Sequence, residues 1–237
     1  RHAEPDYARD SLTEKGWHEA ELLSRRLSKI PDASYYTSPL GRARATASLT
    51  MQAVGKEVEV CPWLREFDAG YKTRPDFHPT GHGWDFLPEH WAREPMYYDP
   101  ENWMKAPAYK NSGIDAVYRS VTQQFDRLIA THGYERRDHL YAALRPNTEN
   151  ILLFCHFGIE CALLSRLFDC SPVVLWHHTV ALPSSVTIVS TEEREPGKAI
   201  FRMSRFGDLS HLDAAGEVPS FSARFCERHG DGTREDY

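Results

Sequence analysis

The feature that most constrains the fold of this chain is an apolar run that ends in a histidine and a glycine. Residues 151–154 are Ile-Leu-Leu-Phe, and Cys155, His156, Phe157 and Gly158 follow at once. This pattern predicts a buried β-strand whose following turn directs the His156 imidazole out of the edge of a sheet. Because ligands of open α/β sheets bind at such edges, His156 is a candidate site residue.

A second histidine, His2, stands next to Arg1 at the start of the sequence. Arginine binds phosphate with a forked pair of donors, and a neutral imidazole can attack phosphorus. Two histidines with nearby arginines therefore suit the binding of a phosphate and attack on it. Arg42 is a further candidate, because it begins a predicted helix, where backbone N–H groups also attract anions.

Strands and helices alternate along most of the chain. Apolar spacing predicts helices near residues 14–30, 42–54, 114–132 and 159–168, and strands near 34–37, 58–60, 151–156, 186–189 and 199–203. Residues 134–148 are charged at first and then loop-like. This order predicts an α/β fold of three layers, with a largely parallel central sheet flanked by helices.

Residues 68–113 interrupt this pattern with prolines, glycines and many aromatic side chains. They predict an irregular, aromatic-rich insertion, a lid or subdomain within a single domain that spans residues 1–237. Glu66 lies just before it, in apolar surroundings that would raise the pKa of its carboxyl group and suit a general acid. Asp68 is close enough to share that task. Four residues of the insertion are tentative substrate contacts: Arg74, His78, His82 and Trp84.

Composition excludes some classes of function. The net charge of -6 argues against a nucleic-acid-binding protein, and no apolar stretch reaches the ~20 residues that a membrane span requires. Five cysteines cannot all pair within one chain, and no signal-peptide pattern is present. We therefore expect a cytoplasmic protein without a disulfide framework. The sequence leaves the oligomeric state open.

Five short motifs occur in an order that resembles the histidine phosphatase superfamily, the phosphoglycerate-mutase-like proteins. They are Arg-His-Ala-Glu at 1–4, Leu-Thr-Glu-Lys-Gly at 12–16, Ser-Pro-Leu-Gly-Arg-Ala-Arg-Ala-Thr-Ala at 38–47, Leu-Arg-Glu at 64–66 and Cys-His-Phe-Gly at 155–158. The motifs are spread over about two thirds of the chain. A lone Arg-His-x-Glu would be weak evidence, whereas even four motifs in this order are strong evidence.

The resemblance implies a phosphatase that hydrolyses a phosphomonoester of a small metabolite through a phosphohistidine. His2 would carry the phosphoryl group, while Arg1, Arg42 and His156 would bind the phosphate. Glu66 would first donate a proton and then activate water. The resemblance also implies a doubly wound α/β sheet, with neither a metal nor another cofactor required.

Three departures from the family pattern keep alternatives open. Ala3 stands where the family normally has glycine, Phe157 replaces the first glycine of a pair, and only nine residues separate His2 from Leu12. The short segment argues against phosphoglycerate mutase activity, and Ala3 is the one hint of an inactive phosphate-binding protein. The chain has 12 histidines, but a metal hydrolase lacks support from ligand spacing.

The adjacent pair His177-His178 looks like a metal-binding motif. Adjacent residues on a strand face opposite ways, which favours core or surface histidines instead.

Overall fold

The computed structural model describes residues 1–69 and 82–220, which form a mixed α/β fold. The strands are β1 (Pro5–Asp6), β2 (Ser11–Leu12), β3 (Ala33–Thr37), β4 (Glu59–Val60), β5 (Tyr134–Arg137), β6 (Leu140–Ala143), β7 (Asn150–Phe154), β8 (Val186–Glu195) and β9 (Lys198–Asp208). The helices are α1 (Glu14–Leu27), α2 (Gly41–Val54), α3 (Pro88–Arg93), α4 (Ile114–Thr131), α5 (Phe157–Phe168), α6 (Pro172–His178) and α7 (Ser210–Asp213). In these ranges no helix is long and apolar enough to cross a membrane.

A parallel sheet in the order β4-β3-β7 creates the edge that the sequence predicts. Thr37 at the end of β3 pairs with Phe154 at the end of β7 and with Val60 of β4. The chain segments that follow these three residues therefore emerge side by side. This geometry brings Ser38, which follows β3, next to His156, which follows β7.

The parallel sheet is covered on both faces. Tyr35 of β3 belongs to an apolar cluster with side chains of α1 and α2, such as Leu23 and Met51. The next residue, Tyr36, belongs to a larger cluster that includes Phe125 of α4 and Ile159 of α5. Successive side chains of a strand point to opposite faces, so β3 is buried on both sides.

The largely parallel central sheet that the sequence predicts is not confirmed. The largest described sheet, in the order β5-β6-β9-β8, is antiparallel throughout. Strands β8 and β9 are joined by a tight turn at Pro196 and Gly197, where Gly197 has a φ of 72°. A turn this short can connect only antiparallel strands, because a parallel pair needs a long crossover.

Residues 134–148 are not simply a loop, as we expected, because β5 and β6 form a hairpin there. Charged residues such as Arg136 obscure the alternation of apolar and polar residues that would predict these strands. In the structure, the guanidinium of Arg136 lies over the Tyr141 ring, 5.1 Å from the ring centre. Helix α1 begins at Glu14, as the predicted range of 14–30 has it. Thr13 is the cap, and its hydroxyl accepts the N–H of Gly16 at 3.0 Å.

The described part of the insertion, residues 82–113, contains α3 and three short 3-10 helices: Pro95–Tyr98, Trp103–Lys105 and Pro107–Tyr109. Trp103 is fully buried and makes edge-on ring contacts with Tyr118 of α4 and Trp176 of α6. The aromatic residues of the insertion thus pack into the large cluster beside α4 and α6. The tentative substrate residues Arg74 and His78 lie outside the described residues.

Candidate active site

His2 is held between the end of β7 and the segment before β8. Its backbone N–H donates to the Cys155 carbonyl at 2.9 Å, and its carbonyl accepts the N–H of Ser184 at 2.9 Å. The residue is 2% exposed. Both backbone groups are therefore fixed, and the imidazole has a defined position beside the sheet edge.

The hydrogen bonds of His2 define its tautomer. Its Nδ1 lies 2.8 Å from the Ala3 carbonyl oxygen. A carbonyl oxygen can only accept, so Nδ1 carries the proton and Nε2 keeps a lone pair. Burial and the adjacent Arg1 charge hold the pKa of His2 well below its usual value. The ring is therefore neutral near pH 7, as a nucleophile must be.

His156 is the second imidazole of the site, with a ring centre 5.0 Å from that of His2. It is fully buried, and its Nε2 lies 2.7 Å from the Ser38 hydroxyl oxygen. That oxygen also accepts the N–H of Leu40 at 3.2 Å. When the Ser38 hydroxyl donates its proton to Nε2, the ring proton of His156 is on Nδ1.

The Nδ1 of His156 is buried and has no hydrogen-bond partner among the described residues. Burial and the neighbouring His2 and Arg42 lower the pKa of His156, so the ring stays neutral. A buried donor without an acceptor is costly, and a phosphate oxygen would supply that acceptor. With the proton of His156 on Nδ1, the arrangement presents one lone pair, on His2, and one N–H, on His156.

Arg1 and Arg42 provide the positive charge around the two rings. One guanidinium nitrogen of Arg1 donates to the Ala181 carbonyl at 2.8 Å, which anchors the side chain near the segment before β8. Arg42 lies in the first turn of α2, and its buried Nε has no partner among the described residues. Both arginines lower the pKa values of both histidines, so their charges act on the same small volume.

Asp10 is a site residue that the sequence analysis missed. Its carboxylate accepts the backbone N–H of Gly41 at 2.6 Å and lies 2.8 Å from Nη1 of Arg42. The start of α2, where we expected N–H groups to attract a ligand anion, is thus occupied by a carboxylate of the chain itself. No local signal marks this contact, because 31 residues separate Asp10 from Gly41.

Glu66 follows the 3-10 helix Pro62–Leu64 in the chain, and its side chain contacts the first turn of α5. Its Oε1 accepts the N–H of Phe67 at 2.8 Å and the N–H of Ile159 at 3.1 Å. Burial raises the pKa of the Glu66 carboxyl group, although these bonds and the charge of Arg1 act in the opposite direction. One oxygen is therefore fixed, and the pKa of the carboxyl group is shifted in the direction that a general acid needs.

Trp84 brings the insertion next to Glu66. A Cβ on Gly158 would lie 2.3 Å from Cζ3 of Trp84 and 2.8 Å from Oε1 of Glu66. The indole ring is stacked on His82, with ring centres 4.7 Å apart and planes 4° apart. Gly158 is thus required by close packing, and the His82–Trp84 stack forms a flat wall beside the carboxyl group.

His177 and His178 lie in helix α6 rather than on a strand. His177 donates from Nδ1 to the Val173 carbonyl and accepts the Phe86 N–H at Nε2, at 2.8 and 3.2 Å. Its ring also stacks on Trp91 at 4.9 Å. His177 therefore anchors the insertion on α6. Within residues 1–69 and 82–220, no group of three or more His, Cys, Asp or Glu side chains could hold a metal ion.

Three buried residues with hydroxyl side chains support the site. Ser38 and Thr46 lie in the motif at 38–47, which gave them no role, and Ser184 lies outside the quoted motifs. Ser38 orients His156, as described, and Ser184 binds the carbonyl of His2 from a left-handed backbone conformation, with a φ of 60°. Thr46 of α2 accepts the N–H of Ala3 at 3.0 Å and donates to the Arg42 carbonyl at 2.9 Å. It thereby couples the segment of the nucleophile candidate to the helix of Arg42.

Comparisons with known proteins agree with this geometry. The family model described as the histidine phosphatase superfamily (branch 1) matches residues 1–200. The adenosylcobalamin/alpha-ribazole phosphatase of Salmonella typhimurium is 26% identical over 181 residues, which cover 73% of this chain and 75% of the relative. A probable phosphoglycerate mutase of Serratia proteamaculans is 44% identical, but over only 59 residues, 25% of this chain and 27% of the relative.

Among solved structures, phosphoserine phosphatase from Entamoeba histolytica in complex with 3-phosphoglyceric acid has a similar fold. It has a TM-score of 0.58 and 17% identity, and the match covers 90% of this chain and 96% of that chain. The expectation of a phosphatase is confirmed by the family model and the phosphatase relatives. The match over residues 1–200 shows that this chain belongs to the histidine phosphatase superfamily.

Proposed function

We propose that this chain hydrolyses a phosphomonoester through a phosphohistidine on His2. The observation that supports this most strongly is the hydrogen bond from His2 Nδ1 to the Ala3 carbonyl, which leaves the lone pair on Nε2. In the first step, Nε2 forms a bond to phosphorus while the bond from phosphorus to the ester oxygen breaks. Glu66 gives its proton to that oxygen, and the alcohol leaves.

In the second step, water attacks the phosphohistidine. Glu66, now a carboxylate, takes a proton from this water as the P–N bond breaks, and inorganic phosphate and the starting enzyme result. In both steps the equatorial oxygens of the phosphoryl group develop negative charge. Arg1, Arg42 and the N–H of His156 would stabilise that charge. Because the two arginines supply the positive charge that a metal ion would otherwise provide, we propose a reaction that needs no metal ion.

We propose further that the insertion is a lid within a single domain and that it selects the part of the substrate beyond the phosphate. The contact of Trp84 with the Gly158–Glu66 region supports this, since Glu66 is the group assigned to the leaving alcohol. Trp84→Ala should raise KM for the physiological ester much more than KM for p-nitrophenyl phosphate. Equal losses on both substrates in the folded variant would contradict the lid proposal.

The proposed substrate is a small phosphorylated metabolite, as the names of the phosphatase relatives suggest. A screen of phosphate release over such esters, run beside a phosphoglycerate mutase assay, tests the assignment. We expect phosphate release from at least one ester and no transfer between the 2- and 3-positions of phosphoglycerate. Transfer without phosphate release would instead establish the mutase alternative.

The inactive alternative rests on Ala3, and the structure accommodates this residue. Ala3 is fully buried with Leu12 and Ala20, and its N–H is bonded to Thr46. Its methyl group thus fills space in a small apolar cluster, while the backbone carbonyl still accepts the Nδ1–H of His2. Ala3 is therefore compatible with a working nucleophile.

A further inference from the structure

Asp10 places a negative charge beside a guanidinium that is assigned to the substrate phosphate. Its carboxylate lies 2.8 Å from Nη1 of Arg42, and its side chain is 44% exposed, whereas that of Arg42 is 13% exposed. The hydrogen bonds from Gly41 and Arg42 lower the pKa of Asp10, although burial opposes them, so the group is ionised near neutral pH. Asp10 thus lies on the solvent side of Arg42.

The backbone fixes Asp10 in this position. Asp10 has a φ of 46°, a left-handed conformation that non-glycine residues adopt infrequently. A Cβ on Gly41 would lie 2.0 Å from the Asp10 carbonyl oxygen, so this close approach requires glycine at the start of α2. Tyr7 covers the guanidinium from another side, with its ring centre 5.3 Å from Cζ of Arg42. The carboxylate is therefore a built feature of the rim.

The charges of the site show what this carboxylate does. The guanidinium groups of Arg1 and Arg42 are cationic, and the lowered pKa values of His2 and His156 keep both rings neutral. A phosphate dianion already balances the two arginines, and Asp10 adds a further negative charge. The two guanidinium groups are then already balanced, and a second anionic group on the substrate would meet the charge of Asp10.

We infer that Asp10 is a specificity-determining residue that selects esters whose non-phosphate part is neutral or cationic and disfavours a second anionic group. The inference rests on the proposed function. A like charge in a partly exposed pocket should lower kcat/KM by roughly five- to tenfold, and by less at high ionic strength.

Three esters of similar size test this inference: phosphoethanolamine, 2-hydroxyethyl phosphate and phosphoglycolate, whose second groups are cationic, neutral and anionic. We expect kcat/KM to fall in that order for the unaltered chain, with the order weakened by added salt. Asp10→Asn keeps the size and an acceptor oxygen but removes the charge, and it should bring the three values to within about twofold. Asp10→Glu should keep the order.

Asp6→Asn is the matched control. Asp6 lies in the same segment, and its carboxylate accepts the N–H groups of Ala8 and Arg9 and forms an exposed ion pair with Arg9. Asp6→Asn should leave the order unchanged. If Asp10→Asn lowers all three values by the same factor, Asp10 only positions Arg42 and the inference is wrong. An unaltered chain that hydrolyses the three esters equally also overturns it. If the unaltered chain hydrolyses neither these three esters nor any ester of the wider screen, the proposed function itself is wrong.

Discussion

Gly158→Ala is the substitution whose effect the structure defines most closely. The added methyl carbon would lie 2.3 Å from Cζ3 and 2.8 Å from Cε3 of Trp84. Ordinary contacts of this kind begin at 3.4 Å, so the indole ring would have to retreat by about 1 Å. Neighbouring rings restrict that movement, since Trp84 is stacked on His82 and contacts Phe157 and Trp176.

Two effects of opposite sign decide the outcome. Alanine is favoured over glycine in a helix by about 0.5–1 kcal/mol, whereas an extra methyl group in a well-packed site costs about 1–3 kcal/mol. The clash with an immobile ring is the larger effect, so we expect Gly158→Ala to lower the free energy of unfolding by about 1–2 kcal/mol. For a chain of this length that corresponds to a fall in Tm of roughly 2–8 °C.

The methyl group would also lie 2.8 Å from Oε1 of Glu66, the oxygen that accepts the N–H groups of Phe67 and Ile159. Gly158→Ala should therefore displace the acid and lower kcat for alkyl esters by roughly tenfold or more, because small displacements of a catalytic group are costly. Urea denaturation and steady-state kinetics measure the two effects.

Trp84→Leu provides the control, because it removes the ring that the methyl group would meet. In that background Gly158→Ala should cost at least about 1 kcal/mol less than in the unaltered chain, a coupling that a double-mutant cycle detects. If Gly158→Ala alone is as stable as the unaltered chain and equally active on alkyl esters, Trp84 does not cover Gly158 and this account of the acid's surroundings is wrong.

Three further predictions concern protons and metals. Glu66→Gln should slow the hydrolysis of alkyl phosphates at least tenfold more than that of aryl phosphates, whose leaving groups need less protonation; equal slowing would assign the acid role elsewhere, first to Asp68. Exhaustive chelation should leave kcat/KM unchanged, and activity restored by one specific divalent ion would refute this. Burial lowers the pKa of His211 to about 4 and also lowers the pKa values of His2 and His156, so the unfolded chain binds more protons below about pH 6.5. These histidines should lower the free energy of unfolding from pH 7 to pH 5, whereas the raised pKa values of Glu66 and Glu19 act in the opposite direction. His211→Gln should therefore make the change from pH 7 to pH 5 less destabilising than in the unaltered chain; an equal change in both would contradict the lowered pKa of His211.

The sequence predicted the elements whose apolar spacing is regular. Helix α2 and its end at Gly55, which has a φ of 64°, follow directly from local pattern, as does β7 with His156 just beyond it. The pairing of strands did not follow, because the sequence pattern of a short strand does not say which neighbour it joins. The hairpin of β5 and β6 was missed for a different reason, since charged side chains such as Arg136 occupy it.

The candidate site also contains residues that the sequence predicted and residues that it did not. His2, His156, Arg1, Arg42 and Glu66 were predicted from motifs, and the structure brings them to one edge of the parallel sheet. Asp10 and Ser38 act only through contacts that the fold creates between distant segments, at separations of 31 and 118 residues. Asp10 lies outside the quoted motifs, and the motif at 38–47 contains Ser38 without indicating that its hydroxyl contacts His156.

The central claim is that Nε2 of His2 takes the phosphoryl group. It is tested most directly by rapid quenching of the enzyme with a labelled ester, followed by digestion and mass spectrometry of the peptide that contains His2. We expect a single phosphoryl group on His2 that is labile in acid and stable in base, and that is absent from a folded His2→Ala variant. A phosphoryl group on another residue, or full turnover by His2→Ala, would contradict the mechanism.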